Sequence, residues 1–102
     1  MTRQEFVFTI GFQGDTAIVD KRAMRQYGRM STMELAEKGL YRAAFCSALF
    51  SGDQKEMDEF LSFFAEKSEA GDAAVRLDSA EKVKRLFGVY TVPDEIKRVV
   101  SL

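Results

Sequence analysis

The chain has 102 residues, a length that fits one domain, and 46% of them are hydrophobic and 12% aromatic, including nine Phe. That apolar mass can fill a core hiding roughly 60–70% of the unfolded chain's surface, which argues against a disordered polypeptide. A formal net charge of −1 leaves no overall field to steer the molecule toward nucleic acid or an anionic membrane surface.

Residues 5–12, Glu-Phe-Val-Phe-Thr-Ile-Gly-Phe, alternate with a period of two. Phe6, Phe8, Ile10 and Phe12 fall on one side, which predicts a strand with one strongly apolar face. Gln13-Gly14-Asp15 supplies a turn and Thr16 to Asp20 the returning strand, so a β-hairpin is expected over about 5–20. Gly11 within the first strand marks a bulge or a close backbone approach. A short helix is predicted over 21–29, with Ala23, Met24 and Tyr27 on one side and Arg22, Arg25, Gln26 and Arg29 on the other.

Ser31-Thr32-Met33-Glu34 has the spacing of a capping box, because the Ser hydroxyl and the Glu carboxylate each satisfy a free N–H of the first turn. A long helix is predicted from there to Phe50. Ser51-Gly52 ends it, and Asp53 with Glu56 opens the next helix, predicted over 53–70. Met57, Phe60, Leu61 and Phe64 recur at the spacing of one helical face. Residues 31–70 therefore read as a helical hairpin. Asp78 and Glu81 open a further helix, predicted over 78–87, with Gly88 at its end. Val89 to Val92 is extended ahead of Pro93. Pro93, Asp94 and Glu95 suit the first turn of a last helix over 93–101, with Ile96, Val99 and Val100 facing inward.

Residues that carry chemistry are sparse. There is no His, which removes the commonest general base and the commonest metal ligand. Cys46 is the only cysteine, so no internal disulfide can form and a reducing compartment is indicated. It lies among Phe45, Ala48 and Leu49, the setting of a small buried hydrophobe rather than of an activated thiolate. The acids Asp53, Glu56, Asp58 and Glu59 lack the Gly that a calcium loop needs at its sixth position, so they read as a solvated helix face. Gly11-Phe12-Gln13-Gly14 has no following helix and no Lys placed to hold a phosphate. Neither a catalytic constellation, a metal site nor a cofactor is expected. Met1 to Glu5 lacks the basic-then-apolar pattern of a signal peptide, and no apolar run approaches the roughly 18–20 residues of a membrane span. No membrane association is expected, and cytoplasm is the expected location.

Two surfaces stand out as contact candidates. Lys21, Arg22, Arg25 and Arg29 form a basic cluster, and Arg22, Arg25 and Arg29 share a face suited to phosphate or carboxylate. Residues 23–52 also resemble the helix-turn-helix motif of phage repressors through Ala23-Met24-Arg25-Gln26-Tyr27-Gly28 and Glu34-Leu35-Ala36-Glu37-Lys38-Gly39-Leu40-Tyr41. The resemblance implies a DNA contact. The chain departs from that pattern, since Leu35 holds the small-residue position before Gly39 and the segment Arg42 to Phe50 has a single base-reading side chain. An unbroken helix through Gly39 is expected instead. On it, Gly39, Ala43 and Ser47 form a stripe of small residues that invites close packing. Tyr41, Phe45 and Leu49 form a second stripe, the candidate interaction surface.

The expectation is a single α+β domain over 1–102, with an N-terminal β-hairpin packed on a helical hairpin and two shorter C-terminal helices. The function expected is a small non-enzymatic protein–protein interaction or regulatory module that forms a homodimer or binds a protein partner. Nucleic-acid or anion binding through Arg22, Arg25 and Arg29 is the alternative.

Overall fold

The computed structural model describes residues 1–68, 79–93 and 95–101. Its elements run α1 (Arg3–Val7), β1 (Thr9–Gln13), β2 (Thr16–Val19), α2 (Lys21–Tyr27), α3 (Thr32–Glu37), α4 (Tyr41–Ser51), α5 (Gln54–Ser68), α6 (Ala80–Phe87) and β3 (Arg98–Ser101). The class is α+β, as expected. Three local expectations are overturned.

The first concerns the N-terminus. Residues 3–7 are helical rather than extended. Thr2 accepts from the Glu5 N–H while the Glu5 carboxylate accepts from the Thr2 N–H, a complete capping box. Phe6 and Phe8 are thereby buried in the helical body, whereas Ile10 and Phe12 emerge exposed on the hairpin. The alternation of phenylalanines is thus divided between two elements and marks no single face.

The second concerns Gly39. The expected helix over 31–50 is broken there, because Gly39 has φ +83°. The Gly39 N–H donates to the Ala36 carbonyl and the Leu40 N–H to the Leu35 carbonyl, both at 3.0 Å. This is the Schellman arrangement, in which a left-handed residue satisfies the last carbonyls of a helix. No packing need accounts for the glycine, since a Cβ there would meet nothing within 4 Å.

The third is the C-terminal segment. Residues 98–101 form a strand, and no helix spans the described part of 93–101. β3 pairs parallel with β2 (Thr16 with Arg98, Ala17 with Val99, Ile18 with Val100, Val19 with Ser101). Adjacent β-branched Val99 and Val100 suit a pleated ladder, and the hairpin leaves one edge of β2 open to receive it.

The hairpin and the caps of the central helices follow the expectation. β1 and β2 form an antiparallel hairpin closed by Gly14-Asp15. Gly14 has φ +62°, the backbone a type II′ turn needs at its first central position. Ile10 has no partner across the ladder, so β1 carries a bulge beside Gly11. The capping box of Ser31 and Glu34 is formed. Gly52, with φ +69°, closes α4, and Asp53 accepts from the Lys55 and Glu56 N–H groups at the start of α5. α6 is capped by Ser79, while Asp78 and residues 69–70 lie outside the described residues.

Met57, Phe60, Leu61 and Phe64 line the buried face of α5. Phe45 meets the rings of Phe60 at 5.9 Å and Phe87 at 6.0 Å, and Phe64 meets Phe60 at 5.5 Å and Phe87 at 5.7 Å. Each such pair adds about 0.5–1.5 kcal/mol beyond simple burial. The three-stranded sheet, ordered β1-β2-β3, joins this core through Val19 and the Phe8 end of the hairpin. Its far end carries exposed apolar residues.

Candidate functional site

Cross-strand partners share a sheet face. Phe12, Ala17 and Val99 therefore form one row across the three strands, and Gly11, Ile18 and Val100 form a row on the other face. Ala17 is fully buried, flanked by Phe12 at 45% and Val99 at 40% exposure. Val100 is 42% exposed, and all of β3 is open to solvent.

The two outer edges of the sheet differ. The bulge at Ile10 interrupts the β1 edge, a device that hinders pairing with another chain. The β3 edge has no such interruption. The Arg98 N–H donates inward to the Asp15 carbonyl at 3.3 Å. Residues of a parallel strand alternate in direction, so Val99 and Ser101 turn their N–H and C=O groups outward. The result is an open row of backbone donors and acceptors beside exposed valines.

The sites anticipated from sequence fare differently. Arg22, Arg25 and Arg29 are all exposed at α2 and just beyond it, and none makes a hydrogen bond or ion pair among the described residues. The trio Tyr41, Phe45 and Leu49 does not form a surface. Phe45 is fully buried in the aromatic cluster, and Tyr41 and Leu49 are half-buried against the core. The helix-turn-helix comparison meets the same obstacle. A turn does exist at Gly39, but Ala44, Phe45, Cys46, Ser47 and Ala48 of α4 are all buried. A helix held among α1, α3 and α5 has no face left for a DNA groove.

Ser47, expected in the small-residue stripe, serves a polar purpose. Arg3 donates through Nη2 to Ser47 Oγ at 2.8 Å and to the Met30 carbonyl at 2.7 Å. The Ser47 and Thr32 hydroxyls lie 2.7 Å apart, and Thr32 is also hydrogen-bonded to Glu56 Oε1. A carboxylate accepts only and each hydroxyl has one proton, so the proton order is determined. Arg3 donates to Ser47, Ser47 to Thr32, and Thr32 to Glu56. This relay ties α1, α3, α4 and α5 together with the buried Thr32 and Ser47 hydroxyls both satisfied.

An open cavity of about 410 Å³ lies between the start of β1, α2 and the α3–α4 turn. Its floor includes Val7, Phe8, Leu40 and Ala43, and its polar groups include Arg42, Asp20 and Tyr27. Arg42 donates to the Thr9 carbonyl at 2.5 Å. Asp20 caps α2 by accepting from the Ala23 N–H at 3.1 Å. One cation and one carboxylate on the same walls leave the cavity without a preferred ligand charge. Cys46 is buried, and that burial pushes its thiol from 9.0 up to about 11 against the opposing pull of Arg42, the reverse of an activated nucleophile.

Among the described residues no group of His, Cys, Asp and Glu could hold a metal ion, and no helix is long and apolar enough to cross a membrane. Compared with protein-family models, curated proteins and solved structures, the chain has no match.

Sequence reasoning missed the β3 edge. Its signal was the Val99-Val100 pair, which the helix-start pattern at Pro93-Asp94-Glu95 obscured.

Proposed function

We propose that this chain is a small protein-docking module that receives an extended partner strand along β3. The observation that carries this reading is the combination in one element of an uninterrupted sheet edge and exposed Val99 and Val100. Strand addition draws its affinity from main-chain hydrogen bonds and its selectivity from alternate side chains. Here Val99 and Ser101 offer the main-chain groups, and the row of Phe12, Ala17 and Val99 offers an apolar face. The buried free thiol of Cys46 suits a reducing compartment such as the cytoplasm. This role requires no catalysis.

The test is a titration of the ¹⁵N-labelled protein with a capped six-residue peptide of alternating Val and Thr. Amide shifts confined to Arg98–Ser101 and the adjoining β2 support strand addition. Shifts elsewhere, or none at any peptide concentration, refute it.

A further inference from the structure

A second site lies away from the sheet edge, in the open cavity of about 410 Å³ between the start of β1, α2 and the α3–α4 turn. We propose that this cavity binds a free α-amino acid with a large apolar side chain, its carboxylate held at Arg42 and its ammonium at Asp20. Such a site is independent of strand addition at β3.

The opposite charges on the walls carry the argument. Arg42 and Asp20 both line the cavity, yet they form no ion pair with each other. Arg42 donates through Nη1 to the Thr9 carbonyl at 2.5 Å, and its Nη2 and Nε have no acceptor among the described residues. Asp20 accepts from the Ala23 N–H through Oδ1 at 3.1 Å, and its Oδ2 has no donor among the described residues. In each case a bond to the backbone steadies the side chain and leaves charged atoms to spare. A cation and a carboxylate that share a cavity but no bond select a ligand that carries both charges. A simple anion would be drawn to Arg42 and repelled by Asp20, and a simple cation the reverse.

A second feature sets which end of the ligand meets Arg42. α4 starts at Leu40 without a side-chain cap, and Leu40, Tyr41, Arg42 and Ala43 of its first turn line the cavity. The N–H groups and positive dipole end of a helix start favour a carboxylate. Arg42 is a cation at that same positive end, an unfavourable placement that a bound carboxylate offsets.

The rest of the lining is mostly apolar. Phe8 is buried, and Ile10, beside the cavity, is 54% exposed. The rings of Tyr27 and Tyr41 also contribute, and Tyr41 is steadied by the Phe64 ring at 5.1 Å. Walls of this kind take up an aliphatic or aromatic side chain while a few placed polar groups fix its orientation. The volume falls within the roughly 300–1,000 Å³ of small-ligand sites.

The test is a titration of the ¹⁵N-labelled protein with L-phenylalanine, 3-phenylpropionate and 2-phenylethylamine. The last two keep the ring but lack the ammonium and the carboxylate, respectively. L-phenylalanine is expected to shift the amides of Ile10, Asp20–Ala23 and Leu40–Ala43. It should bind about tenfold or more tightly than either analogue, the effect of a hydrogen bond to a charged group. Arg42→Gln is expected to abolish the advantage over 2-phenylethylamine, and Asp20→Asn the advantage over 3-phenylpropionate. Asn still caps α2 and Gln still offers the Thr9 carbonyl a donor, so both variants should keep the wild-type circular dichroism spectrum. If a variant fails to fold, the comparison of the three compounds on the wild type decides. L-phenylalanine that shifts nothing around the cavity at tens of millimolar, or binds no more tightly than the two analogues, overturns the assignment. Shifts confined to Arg98–Ser101, or an advantage that survives in both variants, overturn it as well.

Discussion

Replacing Gly39 separates two reasons for a glycine between helices. If the residue marked a close crossing, the cost of a substitution would grow with side-chain size, since overpacking a filled space costs about 1–3 kcal/mol. The structure gives a different reason. Gly39 sits at φ +83° in a Schellman closure, and a Cβ meets nothing within 4 Å. The cost is then conformational. An L-residue in the left-handed region loses roughly 1–2 kcal/mol, and stiffening of the unfolded chain returns about 0.4–1 kcal/mol. Gly39→Ala should therefore lose about 1 kcal/mol. Gly39→Leu should lose about the same, because the larger side chain projects into open space. Gly39→Asn should lose clearly less, since Asn visits this backbone region more readily. Urea melts with a common slope give the differences directly, and in a domain of this size each 1 kcal/mol corresponds to about 4–8 °C in Tm. A Leu variant much less stable than the Ala variant, or an Ala variant as stable as wild type, refutes this account of the turn.

Other outcomes are expected from the polar and titrating groups. Ser47→Ala takes an acceptor from Arg3 and a donor from Thr32, and should cost about 1–3 kcal/mol; combined with Thr32→Val it should cost less than the sum of the two single changes, because both act on one relay. The Cys46 thiol, held up at about 11 by burial, keeps its proton in the fold while the unfolded chain releases it from about 9. The unfolded state thus binds fewer protons in that window, so stability falls as pH rises between about 9 and 11, and Cys46→Ala should flatten that slope relative to wild type. Changing Arg22, Arg25 and Arg29 together to Gln should move stability by less than about 0.5 kcal/mol, as exposed substitutions do. Random duplex DNA should show no salt-dependent binding that the triple variant abolishes; a steep salt dependence lost in that variant would establish the basic face as a contact site.

Legibility from sequence followed the range of the interactions involved. The α5 face and both ends of the α4–α5 connection were readable because helical periodicity and capping are local. The errors arose where a local pattern served a different element. The alternation of Phe6, Phe8, Ile10 and Phe12 imitates a strand, whereas the Thr2–Glu5 capping box starts a helix that takes the first two of them. Gly39 was read as a packing residue because a stripe of small residues and a Schellman glycine look alike without φ. β3 was the hardest case. A four-residue parallel strand depends on a partner some eighty positions away, a contact that no local pattern in 93–101 encodes. The docking edge was hidden for the same reason, and Phe45, an aromatic on a second apolar stripe, took its place as the candidate surface although it is fully buried.

Amide hydrogen exchange at Val99, followed as the capped Val/Thr peptide is added, tests the central claim most directly. Arg98 bonds inward, and Val100, by alternation, does the same; both amides should exchange slowly at every concentration. Val99 points outward and should exchange fast in the free protein, then become protected as the capped Val/Thr peptide pairs with the edge. A Val99 amide that exchanges fast at every peptide concentration, or is already protected in the free protein, contradicts the assignment of the β3 edge as the docking surface.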